Sequence, residues 1–491
     1  MAVINGVMMQ YFHRHLKATD NLWQQVAQEA QPLAAVGFTA LWLPPAFKGA
    51  TGIEDDGYGV YDLYDLGEFE QKGSIRTKYG NRQDYLNAID RLHHYQLQVY
   101  ADAPLHQRLG GDHPERVPVI PYQPSDLTNP SGEQRDFKNP THFAFPGRQG
   151  KYSDFEWHWW HFSAFTDNDR DSDYQWVYRF EDKVFDDDIA QQSPNVPRPL
   201  GYEVDFQNLD VQREIEHWGN WFLETTQVDG FRLAATKKSS TGYFPRWIDA
   251  LEKHSGKQLF VVGSYWQENV SALHWYLDTV GGRMSLFDVP LHNNFHQASR
   301  ARGNYDMRRI LNGTLMQQRP WNAVTFVDTH DAQPGQAFES PVESWFKPLA
   351  HTLILLRQEG YPCVYYPDYY GIDYVDIDAE GRSYSRHSPG HRRLLDKLLQ
   401  VRRNYLYGPQ YSYFDHWNCV GWTCLGNAEH PKAMVVILSD GPAGWKWMEV
   451  SKPHAQFTDI TGHIPEPVFA NEYGWAEFRC QGGSVSVWVQ T

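Results

Sequence analysis

Four short apolar segments of the chain each end in polar side chains that could do chemistry. They are VYADAPLHQ, ending at Asp102; GFRLAATKK, at Arg232 and Ala234; FVVGSYWQEN, at Ser264; and FVDTHDAQP, at Asp328, His330 and Asp331. Carboxylates can move protons, so Asp331 with Asp102 or with Glu268 would allow acid–base chemistry. Glu268 lies four residues after Ser264, and a glutamate at such a position more commonly stabilises the dipole of the following helix. Asp102, His106 and His330 could also bind a metal, although histidine pairs are commonly only hydrogen-bonded.

Strands and helices alternate along the chain and would bring these segment ends together. Eight strands are predicted, at 7–12, 40–43, 97–102, 228–233, 259–263, 284–287, 323–327 and 362–366. Predicted helices lie between them, among them 21–36 with Asp20 as the N-cap, 83–95, 271–280, 345–357 and 391–405. Eight right-handed strand–helix units close naturally into a barrel, with a doubly wound open sheet as the alternative. In such a barrel the active residues lie at the carboxyl ends of the strands.

The alternation is interrupted once and stops before the C terminus, which divides the chain into three predicted domains. Residues 1–102 and 206–405 would form the barrel. Residues 103–205 are too long for a loop and are predicted to be an inserted subdomain. Its Trp157, Trp159 and Trp160 could stack on a sugar or pack in the subdomain core. Residues 406–491 carry short alternating strands typical of a separate antiparallel β domain.

Composition limits the classes of partner. The chain has 491 residues, 41% of them apolar, and a formal net charge of -16. An acidic chain is a poor partner for nucleic acid or anionic membranes, since both need a basic surface. The four cysteines are too few and too scattered for a disulfide framework. No apolar run approaches a membrane span, and the first residues lack a signal-peptide pattern, so we expect a cytoplasmic protein.

The four segments resemble the signature regions of the α-amylase family of glycoside hydrolases, of its bacterial liquefying and cytoplasmic type. The resemblance extends over nearly the whole chain, through ALWLPPAFKGATG, GYGVYDLYDLGEFEQKGSIRTKYG, SPVESWFKPLAHTLILLRQEGYPCVYYPDYYG and GGSVSVWV. It implies an α/β fold: a (β/α)₈ TIM barrel with an inserted subdomain and a C-terminal antiparallel β-sandwich domain.

The resemblance also implies a mechanism whose parts are incomplete in this chain. The family uses three carboxylates: a nucleophile, a general acid/base and an aspartate that holds sugar hydroxyls. Retaining glycoside hydrolysis needs the first two, because one attacks the anomeric carbon and the other protonates the leaving oxygen. The nucleophile position holds Ala234 and the acid/base position holds Ser264. Only the third carboxylate, Asp331, remains, so no intact catalytic set is predicted.

Other positions of the family pattern are partly kept. Sugar-binding positions are expected at Tyr58, Asp102, Gln107, Arg232, Lys238, His330 and Asp331. Arg232 would face an empty nucleophile position, so we expect Asp102, Asp331, water or a ligand near it. The calcium-binding positions of the family correspond to His106, Lys238 and Pro197. Calcium prefers several hard oxygens, so we expect the calcium site to be lost and no cofactor to be bound.

Three functions are compatible with these residues. The first is a catalytically inactive pseudoenzyme that binds an α-glucan or maltooligosaccharide, or regulates or partners an active amylase. The second is an active glycoside hydrolase with relocated carboxylates, Asp331 acting with Asp102 or Glu268. The third is an interaction protein that no longer binds carbohydrate. None of them involves nucleic acid or a membrane.

Overall fold

Eight parallel strands close into a barrel in which each strand pairs with the next along the chain and the eighth pairs with the first. The structure, a computed structural model, describes residues 5–167, 176–185, 201–234, 240–336, 338–377 and 383–491. The barrel strands are Met8–Gln10, Ala40–Leu43, Gln98–Ala103, Gly230–Leu233, Phe260–Gly263, Ser285–Phe287, Ala323–Phe326 and Tyr361–Tyr365. The predicted (β/α)₈ barrel is confirmed, and no strand end differs from its predicted position by more than two residues.

Sequence explains why these segments form the barrel wall. Parallel strands covered by helices are buried on both faces and therefore read as continuous apolar runs. Ala40–Leu43 is such a run, and Gly230–Leu233 and Ala323–Phe326 are apolar apart from Arg232 and Thr325. Every residue in the three strands is buried. Helices cover the outside of the barrel. Trp218 and Trp247, on successive helices, pack with parallel rings over the fourth strand at Phe231.

The helices begin close to where the sequence predicts, with two differences. Asn21, not Asp20, caps the first helix, because its side chain accepts the backbone N–H of Gln24. The helix Val289–Ala301 was not predicted. The α-helices are Leu22–Val36, Arg82–His94, Leu209–Thr226, Phe244–Ser255, Val270–Thr279, Val289–Ala301, Leu315–Gln318, Lys347–Leu356, Tyr366–Tyr370 and Arg392–Tyr405. Short 3₁₀ helices lie at Gly52–Glu54, Trp159–His161, Met307–Arg309 and Pro320–Asn322.

A six-stranded antiparallel sheet follows the third barrel strand. In spatial order its strands are Gln107–Arg108, Tyr202–Val204, Phe162–Asp167, Trp176–Phe180, His113–Tyr122 and Arg135–His142. All six lie within residues 103–205, the segment assigned to the inserted subdomain, and the domain boundaries themselves stay predictions. Two ribbons accompany the barrel, Lys48–Gly49 with Val60–Asp62 and Ile372–Ile377 with Ser383–Ser388.

Two antiparallel sheets follow the last helix. The larger has the order Gln410–Tyr413, Cys419–Cys424, Met434–Ser439, Ser484–Gln490, Gln456–Asp459 and Val468–Phe469. The smaller pairs Gly444–Glu449 with Trp475–Cys480. The two sheets enclose an apolar core that includes Val435, Ile437, Met448, Phe478 and Trp488. The predicted C-terminal β-sandwich is thus present.

All four cysteines, Cys363, Cys419, Cys424 and Cys480, are buried and free. No disulfide therefore contributes to the fold of the described chain. Among the helices that the structure describes, none is long and apolar enough to cross a membrane.

Candidate functional site

The third and fourth barrel strands place an ion pair at the carboxyl end of the barrel. Asp102 and Arg232 lie directly opposite each other in the register of these two strands. One guanidinium nitrogen of Arg232 donates to both carboxylate oxygens of Asp102, at 3.1 Å each. The side chains are only 3% and 0% exposed. A buried guanidinium needs such a partner, so the expected pairing of Arg232 is confirmed.

Asp102 has no free oxygen to offer a substrate. Its Oδ2 also accepts the indole N–H of Trp42 at 3.1 Å and the hydroxyl of Tyr58 at 2.6 Å. Burial raises the pKa of Asp102, while Arg232 and the Tyr58 hydrogen bond oppose that rise. Asp102 therefore positions Arg232 and Tyr58 and is itself enclosed by them.

His330 is a neutral imidazole in the same network. Burial lowers its pKa well below the ordinary value. Its Nδ1 lies 2.9 Å from the amide nitrogen of Gln10, which can only donate, so we assign the proton of the ring to Nε2. Nε2 lies 2.9 Å from the Tyr58 hydroxyl and 3.2 Å from Asp331 Oδ1. His330 thereby links the first strand, Tyr58 and the loop after the seventh strand.

Asp331 is held between two arginines. Arg14 donates to Oδ1 at 3.0 Å and Arg232 to Oδ2 at 3.2 Å, and the side chain is 19% exposed. Burial raises the pKa of Asp331, but His330, Arg14 and Arg232 outweigh it and lower the pKa to about 2. Asp331 is therefore ionised at neutral pH and cannot donate a proton to a leaving group.

Arg14 is the functional residue that the sequence analysis missed. Its guanidinium donates to Asp56 at 2.5 Å as well as to Asp331, and it lies 4.5 Å from the ring centroid of Tyr58. The sequence did offer one signal. Arg14 lies a few residues beyond the first strand, Met8–Gln10, and functional residues of such barrels lie at the carboxyl ends of the strands. The mouth cluster is defined as Arg14, Tyr58, Asp102, Arg232, His330 and Asp331.

The two positions where hydrolysis needs carboxylates hold small side chains. Ala234 directly follows the fourth strand and is buried. Ser264 directly follows the fifth strand, and its backbone N–H donates to the carbonyl of Leu233 at 3.0 Å. A methyl group cannot attack an anomeric carbon. A serine hydroxyl is far too weak an acid to protonate a glycosidic oxygen at neutral pH.

The remaining predicted site residues differ in their surroundings. Gln107 is buried, and its amide donates to the Tyr58 carbonyl at 2.9 Å, so it supports the backbone at Tyr58. Glu268 is exposed and accepts a long hydrogen bond, 3.4 Å, from Asn293. His106 accepts the backbone N–H of Val204 through its own carbonyl. Lys238 and Pro197 lie outside the described residues.

The tryptophans of the inserted sheet have different surroundings. Trp157 is buried beneath the guanidinium of Arg108, 4.6 Å from the ring centroid. Trp160 is 42% exposed and stacks on His158 at 4.3 Å. Trp157 thus serves packing, Trp159 is partly buried against the core, and Trp160 is the most exposed of the three.

The fold and the cluster at the barrel mouth define a (β/α)₈ protein with a candidate site at the carboxyl ends of its strands. Its relatives narrow that class. The chain is 45% identical over 493 residues to an α-amylase of Geobacillus stearothermophilus, covering 99% of this chain and 87% of the relative. It is 43% identical to an α-amylase of Bacillus licheniformis, covering 100% and 94%. It is 40% identical to the cytoplasmic α-amylase of Escherichia coli strain K12, covering 99% of each chain.

The protein therefore belongs to the α-amylase family. No protein-family model matches the chain. The fold is similar to the crystal structure of an α-amylase from Geobacillus thermoleovorans complexed with acarbose, with a TM-score of 0.65, 14% identity and coverage of 99% of this chain and 98% of that one. At that identity the likeness concerns the fold alone.

Proposed function

We propose that this protein binds α-glucan chains or maltooligosaccharides without hydrolysing them, as a pseudoenzyme of the α-amylase family. The observation that carries the proposal is the pair Ala234 and Ser264, which end the two strands where retaining hydrolysis needs a nucleophile and an acid. Loss of a positioned acid/base alone costs about 10²–10⁴ in rate. Loss of the nucleophile removes the covalent step as well.

The surviving carboxylates give little support to relocated chemistry. A retaining pair needs one carboxyl group that is protonated and one that is free to attack. Asp331 is ionised between two arginines, and both oxygens of Asp102 are occupied. Glu268 faces solvent beside Asn293. This arrangement fits an inactive binding protein as it stands. A displaced active site would require these carboxylates to change their partners or their positions.

The identity of the ligand rests on the relatives, which are named α-amylases at 40–45% identity over nearly the full chain. Arg14 adds a restriction, because it covers the Tyr58 ring and one oxygen of Asp331. A sugar that used those groups would have to displace the guanidinium. We therefore infer that the glucan binds chiefly outside the mouth cluster. An active amylase as partner, and a non-carbohydrate partner, are the alternatives.

Location and calcium belong to the same proposal. We infer a cytoplasmic protein, a location that the name of the Escherichia coli relative supports. We also infer that the calcium ion of the family is not bound, because His106 offers an imidazole where a hard oxygen ligand is needed. Protein first dialysed against EDTA should show the same unfolding midpoint with and without added Ca²⁺. A clear rise in the midpoint would contradict this inference.

Two measurements on the purified protein test the central proposal. Incubation with maltoheptaose should release no products above background, whereas calorimetric titration with the same ligand should give saturable heat. Turnover that Asp331→Asn abolishes would establish the relocated enzyme instead. Absence of both turnover and heat, with no shift of the unfolding midpoint by maltodextrin, would favour the interaction protein.

A further inference from the structure

Two histidines and a glutamate converge on the outer face of the inserted subdomain, in a strand pair that extends the strand Arg135–His142. Phe143 and Trp157 pair across it in antiparallel fashion and exchange both backbone hydrogen bonds, at 2.9 and 3.1 Å. Their side chains point into the core, with 0% and 4% exposure. Because strand side chains alternate, His142 and His158 project from the opposite face. They also form the closer, non-hydrogen-bonded type of cross-strand pair.

Glu156 completes the group. It lies two residues before His158 and therefore shares its face of the strand. The carboxylate of Glu156 lies 2.7 Å from His142 Nε2, and the two imidazole rings stack at 4.4 Å with 14° between their planes. One nitrogen of each histidine and one oxygen of Glu156 all lie within 4.8 Å of one another. Cross-strand register and strand alternation together bring three metal-ligating groups to one point.

A second carboxylate orients one of these histidines. Glu115 Oε1 lies 2.9 Å from His158 Nδ1, so Nδ1 is the protonated nitrogen of that ring and Nε2 is left as a lone-pair donor. Glu115 is itself fixed, because its Oε2 accepts the Thr141 hydroxyl at 2.7 Å and the Trp159 backbone N–H at 3.0 Å. A histidine oriented by a carboxylate in this way is the usual outer arrangement of a zinc-binding imidazole.

We propose that His142, Glu156 and His158 bind a divalent transition-metal ion of the zinc class. Two imidazole nitrogens and one carboxylate are ligands that suit zinc, copper and nickel, whereas calcium and magnesium prefer oxygen alone. Three protein ligands leave a fourth tetrahedral position for water or for a group from a partner. Glu115 and Glu156 together balance the charge of a divalent ion.

The ion would join the end of the strand Arg135–His142 to the segment that carries Glu156 and His158. The four side chains are between 19% and 49% exposed, so an ion from solution can reach the site. Zinc–nitrogen bonds are about 2.0–2.1 Å long, so the stacked imidazoles must rotate to turn a nitrogen of each toward one ion. His142 must then carry its proton on Nδ1, which frees Nε2 for the metal. None of these residues belongs to the mouth cluster or to the calcium positions of the family.

Metal titration of the intact protein tests the site directly. Protein dialysed against EDTA should bind a single tight equivalent of Zn²⁺ in calorimetry. Co²⁺ in its place should give the intense visible absorption of a four-coordinate ion. His142→Ala and the conservative Glu156→Gln should each weaken Zn²⁺ binding by about tenfold or more. Glu115→Gln, which alters the group that orients His158 but removes no ligand of the ion, should weaken it less.

The chain supplies a matched control. His254 and Glu224 form an exposed pair with the same 2.7 Å contact, and no other described residue completes a metal-binding group there. His254→Ala should therefore leave the Zn²⁺ affinity unchanged. The proposal is overturned if wild-type protein binds no Zn²⁺. It is also overturned if folded Glu156→Gln and His142→Ala proteins, checked by circular dichroism, bind it as tightly as wild type. In either case the pair His142–Glu156 is an ordinary hydrogen bond.

Discussion

Two clusters of charged side chains share one loop of the barrel but differ in their access to solvent. The loop after the seventh barrel strand contributes to both, with Asp331 in the mouth cluster and Asp328 in a second group. That second group, the sealed cluster, is defined as Asp328, Lys347, His351 and Asp368. In the mouth cluster Arg14 is 22% and Asp331 19% exposed, whereas no side chain of the sealed cluster exceeds 9%.

The charged groups of the sealed cluster pair with one another. Lys347 lies 2.7 Å from Asp328 and 2.5 Å from Asp368, and His351 lies 3.0 Å from the other oxygen of Asp368. Burial raises the pKa of Asp368, but Lys347 and His351 outweigh it and hold the pKa below its ordinary value. The comparison indicates that buried charges closed to solvent support the fold. Paired charges with one side open to solvent, such as Arg14 and Asp331, can exchange a partner for a ligand.

Removal of the cation from the sealed cluster should give the largest effect. Lys347→Met leaves two aspartates buried without their cation, and loss of one partner of a buried ion pair costs about 3–5 kcal/mol. The free energy of unfolding, measured by urea denaturation, should fall by that amount. Arg116→Met removes a cation that is 80% exposed in its pair with Asp136 and should cause no measurable loss. Equal losses in both variants would refute the distinction.

Mild acid should weaken the fold through buried neutral histidines, including one in the mouth cluster. Burial lowers the pKa of His292 to about 4 and that of His330 well below its ordinary value. Between pH 6.5 and these folded pKa values the unfolded chain binds protons that the folded chain does not. The stability is therefore complete above pH 6.5 and falls below it, by about 1.4 kcal/mol per pH unit for each such histidine.

Urea denaturation at pH 7, 6 and 5 measures this slope. His330→Gln should reduce this slope of stability against pH by the contribution of one histidine. His254→Gln changes an exposed side chain and should leave the slope unchanged. An unaltered slope in His330→Gln would mean that His330 is protonated in the folded protein. The hydrogen-bond assignment between His330, Gln10 and Tyr58 would then be wrong.

Removal of Arg14 should change ligand binding more than stability. Arg14→Ala uncovers the Tyr58 ring and one oxygen of Asp331, so the affinity for maltoheptaose should rise by about tenfold, or 1.4 kcal/mol. Arg283→Ala is the matched control. Arg283 also pairs with two carboxylates, Asp249 and Glu252, but it precedes the sixth strand and therefore lies at the opposite end of the barrel. Calorimetry that shows weaker binding in Arg14→Ala would make Arg14 a ligand-binding group instead.

The sequence predicted the strands well because parallel barrel strands are buried on both faces and leave an unambiguous apolar run. The rule that barrel chemistry lies at strand ends also located Asp102, Arg232, His330 and Asp331. It missed Arg14, because a long side chain reaches its partners from a loop whose path no local pattern specifies. The metal-binding group was missed for a related reason. Glu156 and His158 are two residues apart, but His142 joins them only through strand register.

Restoration of the two missing carboxylates should give the smallest change in activity. Ala234→Asp with Ser264→Glu supplies a nucleophile and an acid, yet we expect hydrolysis of maltoheptaose barely above background. A new carboxylate at the buried position 234 must compete for Arg232, which already pairs with Asp102 and Asp331. Arg14 would still cover one oxygen of Asp331.

Product release measured by chromatography, with Ala234→Asp alone as the control, checks this expectation. Addition of Arg14→Ala to the double variant should raise the weak activity, because it frees the oxygen of Asp331 that a bound sugar needs. Efficient turnover by the double variant alone would instead mean that Arg14 is readily displaced. The mouth cluster would then differ from an active site only at positions 234 and 264, and its open side would be fully available to substrate.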